Sequence, residues 1–264
     1  MVRHSRVEDF DDVPRPAIAL GNDYPDGHVI APHHHRRSQL LYGASGALMV
    51  ATARGTWVVP PQRAVWIPGG VEHGVRMLGA VSTRSLYLAP EAAAGMPDHC
   101  QVVGISVFVR GLLLEAVDLP AGYDLDGRAG ALMTLLQHEL RRLPVLPLAL
   151  PLPDHAGLAD CCRRFLAQPT PHVTIDAWSA ALGISRRGFT RLFRQQTGLS
   201  FTNWRQQACL FAALPRLAAG EPVTRVALDL GYDNPAAFTT MFKRALGSSP
   251  RAYLRHGGQD GPSS

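Results

Sequence analysis

The sequence predicts two domains of different class: an all-β barrel carrying one or two helices, followed by an all-α domain made of two helix-turn-helix units. Three observations carry that prediction. Short β-type runs follow one another as far as Val107, a proline-rich stretch interrupts the chain at Pro144–Pro153, and the remainder is helical with an internal repeat at an offset of 49 residues.

At 264 residues the chain has room for two domains, each able to bury its own core. An apolar fraction of 46% with 18% charged residues describes a folded chain and excludes a disordered one. No run of about 18 apolar residues is present, so no membrane span is expected. The opening MVRHSRVEDFDD has acids where a signal peptide needs an apolar stretch, so the expected location is cytoplasmic. Cys100, Cys161, Cys162 and Cys209 form no C-x-x-C pair or zinc-ribbon spacing and read as reduced, structural thiols. The net charge of +5 divides unevenly: residues 1–155 sum to −2 and residues 156–264 to +7, which points a polyanion at the C-terminal part.

In the first half the β-type runs are Gln39–Tyr42, Ala47–Ala53, Thr56–Val59, Ala64–Ile67, His73–Met77, Ser85–Leu88 and Val102–Val107, separated by Gly, Pro and Ala-Ser-Gly punctuation. Closely spaced short strands predict an antiparallel barrel or a double-sheet jelly roll. The period changes from Gly111 onward, and Leu132, Leu135, Leu136, Leu140 and Leu143 place an amphipathic helix over Gly127–Leu143. Its apolar stripe either packs on the barrel or forms a dimer seam. Four prolines between Pro144 and Pro153 rule out a regular helix or a central strand and read as an extended linker lying against a domain surface. The expected domains are therefore 1–143, a linker 144–154, a basic helical domain 155–255 and a flexible tail 256–264.

Function enters with the repeat. Phe189-Thr-Arg-Leu-Phe-Arg-Gln-Gln-Thr-Gly198 aligns without a gap on Phe238-Thr-Thr-Met-Phe-Lys-Arg-Ala-Leu-Gly247. Upstream, Ile175–Gly183 and Val223–Gly231 each read as a short helix stopped by glycine. A turn then ends in a capping residue, Ser185 in the first copy and Asp233 or Asn234 in the second. Helix, glycine turn and capped second helix is the helix-turn-helix plan, whose second helix enters the major groove of double-stranded DNA. On the first such helix Phe189, Leu192 and Phe193 form the core face, and Ser185, Arg186, Arg187, Thr190, Arg191 and Arg194 the DNA face. The second presents Asn234, Ala236, Thr239, Thr240, Lys243 and Arg244, a less charged set suited to positioning on the phosphate backbone.

The stretch Val223–Pro250, with its companion Ser185–Gly198, resembles the signature of the AraC/XylS family of transcription regulators. The resemblance covers about residues 156–255. It implies a long central helix, here about Phe201–Ala219, holding the recognition helices one DNA turn, about 34 Å, apart. It also implies that Arg187, Thr190 and Arg191 make most base contacts. Gly188 departs from the helix-favouring residue usual there, at a cost of about 1 kcal/mol relative to alanine.

Residues 28–90 resemble a cupin barrel. His33, His35 and Gln39, followed by Pro68-Gly-Gly-Val-Glu-His73, look like the two cupin motifs, whose histidines and acid converge on one metal. Gln39 stands at the acidic position and is a weaker, neutral ligand. The resemblance leaves two alternatives, a divalent metal such as Zn²⁺ or Ni²⁺ on these residues, or a metal-free effector pocket. His34 is expected on the opposite face of the strand. Arg36 and Arg37 are expected to cover the surface, and the inward-facing members of Trp57, Trp66 and Tyr87 to wall any cavity beside the histidines.

The reading these features support is a non-enzymatic, sequence-specific DNA-binding transcription regulator, activator or repressor, controlled by a small-molecule or metal effector in the barrel. A homodimer is expected, with RNA polymerase a further partner. Two alternatives stand beside it: a cupin metalloenzyme with a DNA-binding appendage, and a constitutive DNA-binding protein whose barrel only dimerises. Gln39 in place of an acid argues against the first.

Overall fold

The computed structural model describes residues 12–146, 148–246 and 249–252. The expected tail at 256–264 and the acidic opening segment through residue 11 lie outside the described residues, as does Pro147. The chain divides into two compact units, one running to Leu148 and the other from Ala149, with Arg54–Thr56 grouped with the latter.

The first unit is built on antiparallel strands β1 (Ala17–Tyr24), β2 (Val29–His33), β3 (Ser38–Thr52), β4 (Gly55–Val59), β5 (Arg63–Ile67), β6 (His73–Leu88), β7 (Gln101–Gly104) and β8 (Val145–Leu146). Their hydrogen-bonded order is β1-β6-β3-β5-β7-β8, with β2 also on β6 and β4 also on β3. The runs Gln39–Tyr42 and Ala47–Ala53, read from the sequence as two strands, are one 15-residue strand. Likewise His73–Met77 and Ser85–Leu88 are the two ends of the 16-residue β6. The Ala-Ser-Gly punctuation marks a kink within a continuous strand, because the β3–β6 register slips between Gly43 and Ser45 and again before Ala47. Gly46 sits there at φ 66°, and a Cβ on it would stand 2.4 Å from the carbonyl oxygen of Ala80. Beyond the kink the partners change. The C-terminal half of β6 pairs with β1 and the first half of β3, and its N-terminal half with β2 and the second half of β3.

β1 and β2 were missed in the sequence, since Ala17–Tyr24 is buried on both faces except at its last two residues and shows no alternation. The expected strand at Val102–Val107 ends at Gly104. Ser106 caps a helix instead, its Oγ accepting from the Val109 amide at 3.2 Å, and α1 runs over Val107–Ala116. The helix placed at Gly127–Leu143 is α2 (Arg128–Leu140), with Gly127 as its N-cap. Leu132, Met133, Leu136 and Leu140 of α2 and Val109, Leu113 and Ala116 of α1 are buried against Ala17, Ala19, Leu40, Tyr42, Trp66, Leu86 and Leu88. Burying each of the large side chains is worth about 1.5–3 kcal/mol relative to exposure, and this is what seats the helices on the sheet. Leu135 points outward. The proline-rich segment opens as an edge strand, β8 on β7, where missing amide hydrogens are tolerated.

The second unit holds the short strand β9 (Ala149–Pro151) and six helices among the described residues: α3 (Ala156–Ala167), α4 (Ile175–Ala181), α5 (Arg186–Thr197), α6 (Phe201–Ala218), α7 (Val223–Asp229) and α8 (Pro235–Leu246). Trp178 of α4 is its centre. The rings of Phe165, Phe189, Phe193, Phe201 and Trp204 surround it with centroids 4.9–6.3 Å away, in edge-on or tilted geometry. The Trp204 indole donates to the Pro151 carbonyl at 2.8 Å, satisfying its one polar atom. Around α7 and α8, Phe238 packs on Tyr232 and Phe242. Arg216 of α6 binds Glu221 at 2.6 Å and Asp229 at 2.5 Å, fastening the α6–α7 connection.

The four cysteines are free and buried, and burial raises the thiols of Cys100 and Cys209 to about 11 and that of Cys162 to about 12, where they stay protonated. Gly46→Ala should destabilise the first unit by about 2 kcal/mol or more, because it combines a left-handed backbone with a clash against Ala80. The midpoint of urea unfolding checks this, and an unchanged midpoint would contradict the kink described above.

Candidate functional site

Two sites follow from this architecture, one in each unit. In the second unit, α4–α5 and α7–α8 are the two helix-turn-helix copies. Each turn uses a glycine in the left-handed region, Gly183 at φ 64° and Gly231 at φ 83°, because the chain must reverse within a few residues. The second helix of each pair is then capped. Ser185 Oγ accepts from the Gly188 amide at 3.1 Å, and Asn234 Oδ1 accepts from the Ala237 amide at 2.9 Å, so Asn234 and not Asp233 is the cap.

Phe189 and Phe193 are fully buried, and Leu192 is half-buried beside them. The opposite face of α5 exposes Ser185, Arg186, Arg187, Thr190, Arg191 and Arg194. These six are not equivalent. Arg186 is engaged by Asp176 of α4, its Nη1 within 3.1 Å of both carboxylate oxygens, and Thr190 Oγ1 returns a hydrogen bond to the Arg186 carbonyl at 2.9 Å. The Asp176 contact joins positions ten apart on different helices, so nothing in the sequence pattern signals it. Arg187, Arg191 and Arg194 have no ion pair among the described residues and, at i, i+4 and i+7, form one straight guanidinium stripe. On α8, Ala236, Thr240, Lys243 and Arg244 are exposed, and Thr239 is half-buried. The stripe on α5 therefore carries more free positive charge than the corresponding face of α8.

The second site lies in the first unit. His33 closes β2 directly opposite His73 at the start of β6, and His35 follows in the short connection to β3. Their ring centroids lie 4.5 Å (His33–His73), 5.1 Å (His35–His73) and 5.9 Å (His33–His35) apart. Each offers a ring nitrogen within 4.8 Å of the other two. His35 and His73 are buried, at 4% and 1% exposure, and His33 is half-buried.

All three imidazoles are oriented the same way. Nδ1 of His33 donates to the Ala31 carbonyl at 2.9 Å, Nδ1 of His35 to that of Arg37 at 2.5 Å, and Nδ1 of His73 to that of Val71 at 2.8 Å. The Ala31 and Val71 carbonyls only accept, so Nδ1 of His33 and His73 bears the proton and their Nε2 keeps its lone pair, whereas His35 lies between two carbonyl acceptors, those of Arg37 and Gln39. The Nε2 of His73 is buried without a hydrogen-bond partner. Burial, helped by the neighbouring His33 and His35, lowers the His73 pKa to about 4, so its ring is neutral near pH 7.

Gln39 completes the cluster. Its amide donates to Ser85 Oγ at 3.0 Å and to Tyr87 Oη at 2.9 Å, and its carbonyl faces His35 Nε2 at 3.3 Å. Ser85 was not foreseen, although its place two residues before Tyr87 puts both on one sheet face. Three imidazole nitrogens are a fitting donor set for Zn²⁺ or Ni²⁺.

Of the aromatics expected to wall this site, Tyr87 meets it, with its ring edge-on to His35 at 5.3 Å. Trp66 is placed otherwise. It pairs with Leu40, one residue out of phase with Gln39, so it lies on the helix-packed face and its indole donates to the Pro97 carbonyl at 2.8 Å. Trp57 is buried in β4. His34 and Arg36 are exposed. Arg37, expected on the surface, is instead buried, with its guanidinium donating to the carbonyls of Arg15 and Val13.

A helical unit built from two helix-turn-helix copies, preceded in the chain by a β-domain carrying a mostly buried polar cluster, defines a DNA-binding regulator in outline, and comparison with known proteins gives the family. Residues 15–143 match the family described as an AraC-like ligand binding domain, and residues 178–256 that of a helix-turn-helix domain. The chain is similar to the HTH-type transcriptional regulator NimR of Escherichia coli strain K12, 36% identical over 84% of this chain and 81% of that protein. It is 29% identical to the arabinose operon regulatory protein of Salmonella typhimurium, over 48% of this chain and 47% of that one. A solved structure of the DNA-binding domain of AdpA in complex with a target DNA is 30% identical over 37% of this chain and 89% of that chain, with a TM-score of 0.35. The chain belongs to the AraC/XylS family of DNA-binding transcription regulators, with a ligand-binding domain preceding its helix-turn-helix domain.

Ser185→Ala should cost the second unit about 1 kcal/mol by removing the α5 cap. Asp176→Ala should change stability by less than about 1 kcal/mol, since that ion pair is exposed on both sides, at 66% and 67%. Urea unfolding followed by tryptophan fluorescence of the Trp178–Trp204 cluster distinguishes the two, and equal losses would contradict the cap assignment.

Proposed function

We propose that the protein reads a specific duplex DNA sequence chiefly through α5, with α8 positioning the unit on the phosphate backbone, and that an effector bound at the histidine cluster of the first unit alters this binding. The observation that carries the reading is the unpaired stripe Arg187, Arg191 and Arg194 on a capped second helix of a helix-turn-helix. A guanidinium fork matches the O6 and N7 atoms of guanine in the major groove, so a stripe of three on one helix face supplies base readout as well as charge. The α8 face, with Thr240, Lys243 and Arg244, has fewer forks and suits phosphate contacts. The cluster supports the sensing role because it is polar, mostly buried and lies outside the apolar face on which α1 and α2 are packed.

The test begins by selecting preferred duplexes from a random DNA pool with the full-length protein, then comparing affinity for the selected site and for random duplex. Arg187→Ala or Arg191→Ala should lower affinity for the selected site by about 10- to 100-fold while changing random-DNA affinity far less. Lys243→Ala should weaken both alike and reduce the slope of log K against log salt by about one. Equal losses on both DNAs for the α5 arginines would remove α5 as the base reader.

A further inference from the structure

The two helix-turn-helix copies are connected through α6, and α6 has a weak point. Pro215 lies inside it near its C-terminal end, so the Phe211 carbonyl loses the amide that would bond it, and a proline so placed kinks or loosens a helix. Beyond Pro215, Arg216 ties the end of α6 to Glu221 and to Asp229 of α7, which makes the last turn of α6 and the second copy one block. A second connection bypasses Pro215. We propose that the segment 168–173 is a strap that fixes the second copy relative to the first, with His172 as the positioning residue that determines which backbone phosphates α8 reaches once α5 has set the register. This role rests on the reading of α8 as the helix that positions the unit on the phosphate backbone.

The strap leaves α3 and ends at Thr174, whose hydroxyl caps α4 by accepting from the Ala177 amide at 3.2 Å, so it is anchored to the first copy. Pro169 and Pro171 stiffen it, since each ring fixes its own backbone angle and restricts the residue before it. On the near side of Pro215, Arg205 of α6 donates to the Val173 carbonyl, its guanidinium 5.9 Å from the centre of the Phe201 ring. On the far side the His172 ring reaches the turn of the second copy, where Nε2 donates to the Gly231 carbonyl at 2.5 Å. Thr170 Oγ1 accepts from the His172 amide at 3.4 Å and lies 3.0 Å from where a Cβ on Gly231 would stand, with Pro171 Cδ and His172 Cδ2 each at 3.6 Å. At Gly183, the matching turn of the first copy, a Cβ would meet nothing within 4 Å among the described residues apart from its chain neighbours. The same turn glycine is open in one copy and covered in the other, which a plain repeat of the motif does not require.

A small change in the angle between the copies is enough to alter the contacts of α8. Recognition helices in successive major grooves are about 34 Å apart, and phosphates along one strand repeat every ~3.4 Å. Over that distance a rotation of about 6° moves α8 by one phosphate. Holding the angle before DNA arrives also removes an ordering cost from binding.

The experiment scans the duplex selected by the full-length protein with methylphosphonates, each neutralising one phosphate. With wild type, neutralisation on the α8 side should lower affinity by about fivefold or more at one or two positions. With His172→Ala no α8-side position should cost more than about twofold, the losses spreading over neighbouring phosphates, while the α5-side profile and the penalty for altered bases stay as in wild type. His172→Gln, whose amide can donate where Nε2 stood, should restore the sharp profile. Hydrogen exchange of the free protein reads the tie without DNA: His172→Ala should speed exchange across residues 228–234 by about fivefold and leave residues 180–186 unchanged. His172 is exposed, so the urea midpoint should not move. An α8-side profile as sharp in His172→Ala as in wild type, or unchanged exchange at 228–234, overturns the strap and leaves α8 as the positioning helix. A wild-type profile with no sensitive position on the α8 side removes the positioning reading of α8, and the strap's role in DNA binding with it.

Discussion

The first unit depends on the pairing of β3 with β6 along both of their halves. Because the two strands kink together around Gly46 and Gly79, one pair of segments serves two sets of partners. The upper half presents Leu40, Tyr42, Leu86 and Leu88 to α1 and α2, while the alternate residues Gln39, Ser85 and Tyr87 face the other way. The lower half sets His73 against His33. A one-residue slip in this register would exchange the two faces, burying Gln39 among leucines and carrying Tyr87 away from His35. The polar cluster and the helix-packed core are therefore consequences of the same ladder.

In the second unit the corresponding element is Trp178. It lies on the first helix of the first helix-turn-helix yet touches Phe189 and Phe193 of the second, Phe201 and Trp204 of the long α6, and Phe165 of α3. Fixing α5 through its buried aromatic edge leaves its other edge entirely to polar groups. The second copy has Phe238 and Phe242 at the positions of Phe189 and Phe193, but with Tyr232 as the aromatic neighbour. Equal frames thus support unequal surfaces.

Legibility in the sequence followed periodicity and repetition. The helices of the second unit were readable to within a residue or two because the apolar stripe, the capping serine and the stopping glycine recur in two copies, and each copy checks the other. His33, His35, Gln39 and His73 were readable as a group, through their resemblance to a known spacing. What stayed hidden was whatever depended on a register or a partner distant in the chain. β1 shows no alternation because both faces are covered. The kink at Gly46 resembles a turn, since glycine marks both. Trp66 and Tyr87 look alike in composition, and only the pairing of Leu40 with Trp66 and of Gln39 with Tyr87 assigns them to opposite faces. Arg37 looked like surface charge, yet its hydrogen bonds to Arg15 and Val13 take it into the interior.

The engagement of Arg186 by Asp176 shapes the charge pattern along α5. Four arginines on one helix face would bind any polyanion strongly, and indiscriminate phosphate attraction dilutes base readout. Asp176 withdraws the arginine nearest the helix start, and its negative charge sits in the first turn of α4. The three remaining guanidinium groups project from successive turns of α5. Thr190 lies among them with its hydroxyl committed to the Arg186 carbonyl. The face that meets DNA is thus shaped as much by which groups are occupied within the protein as by which are free.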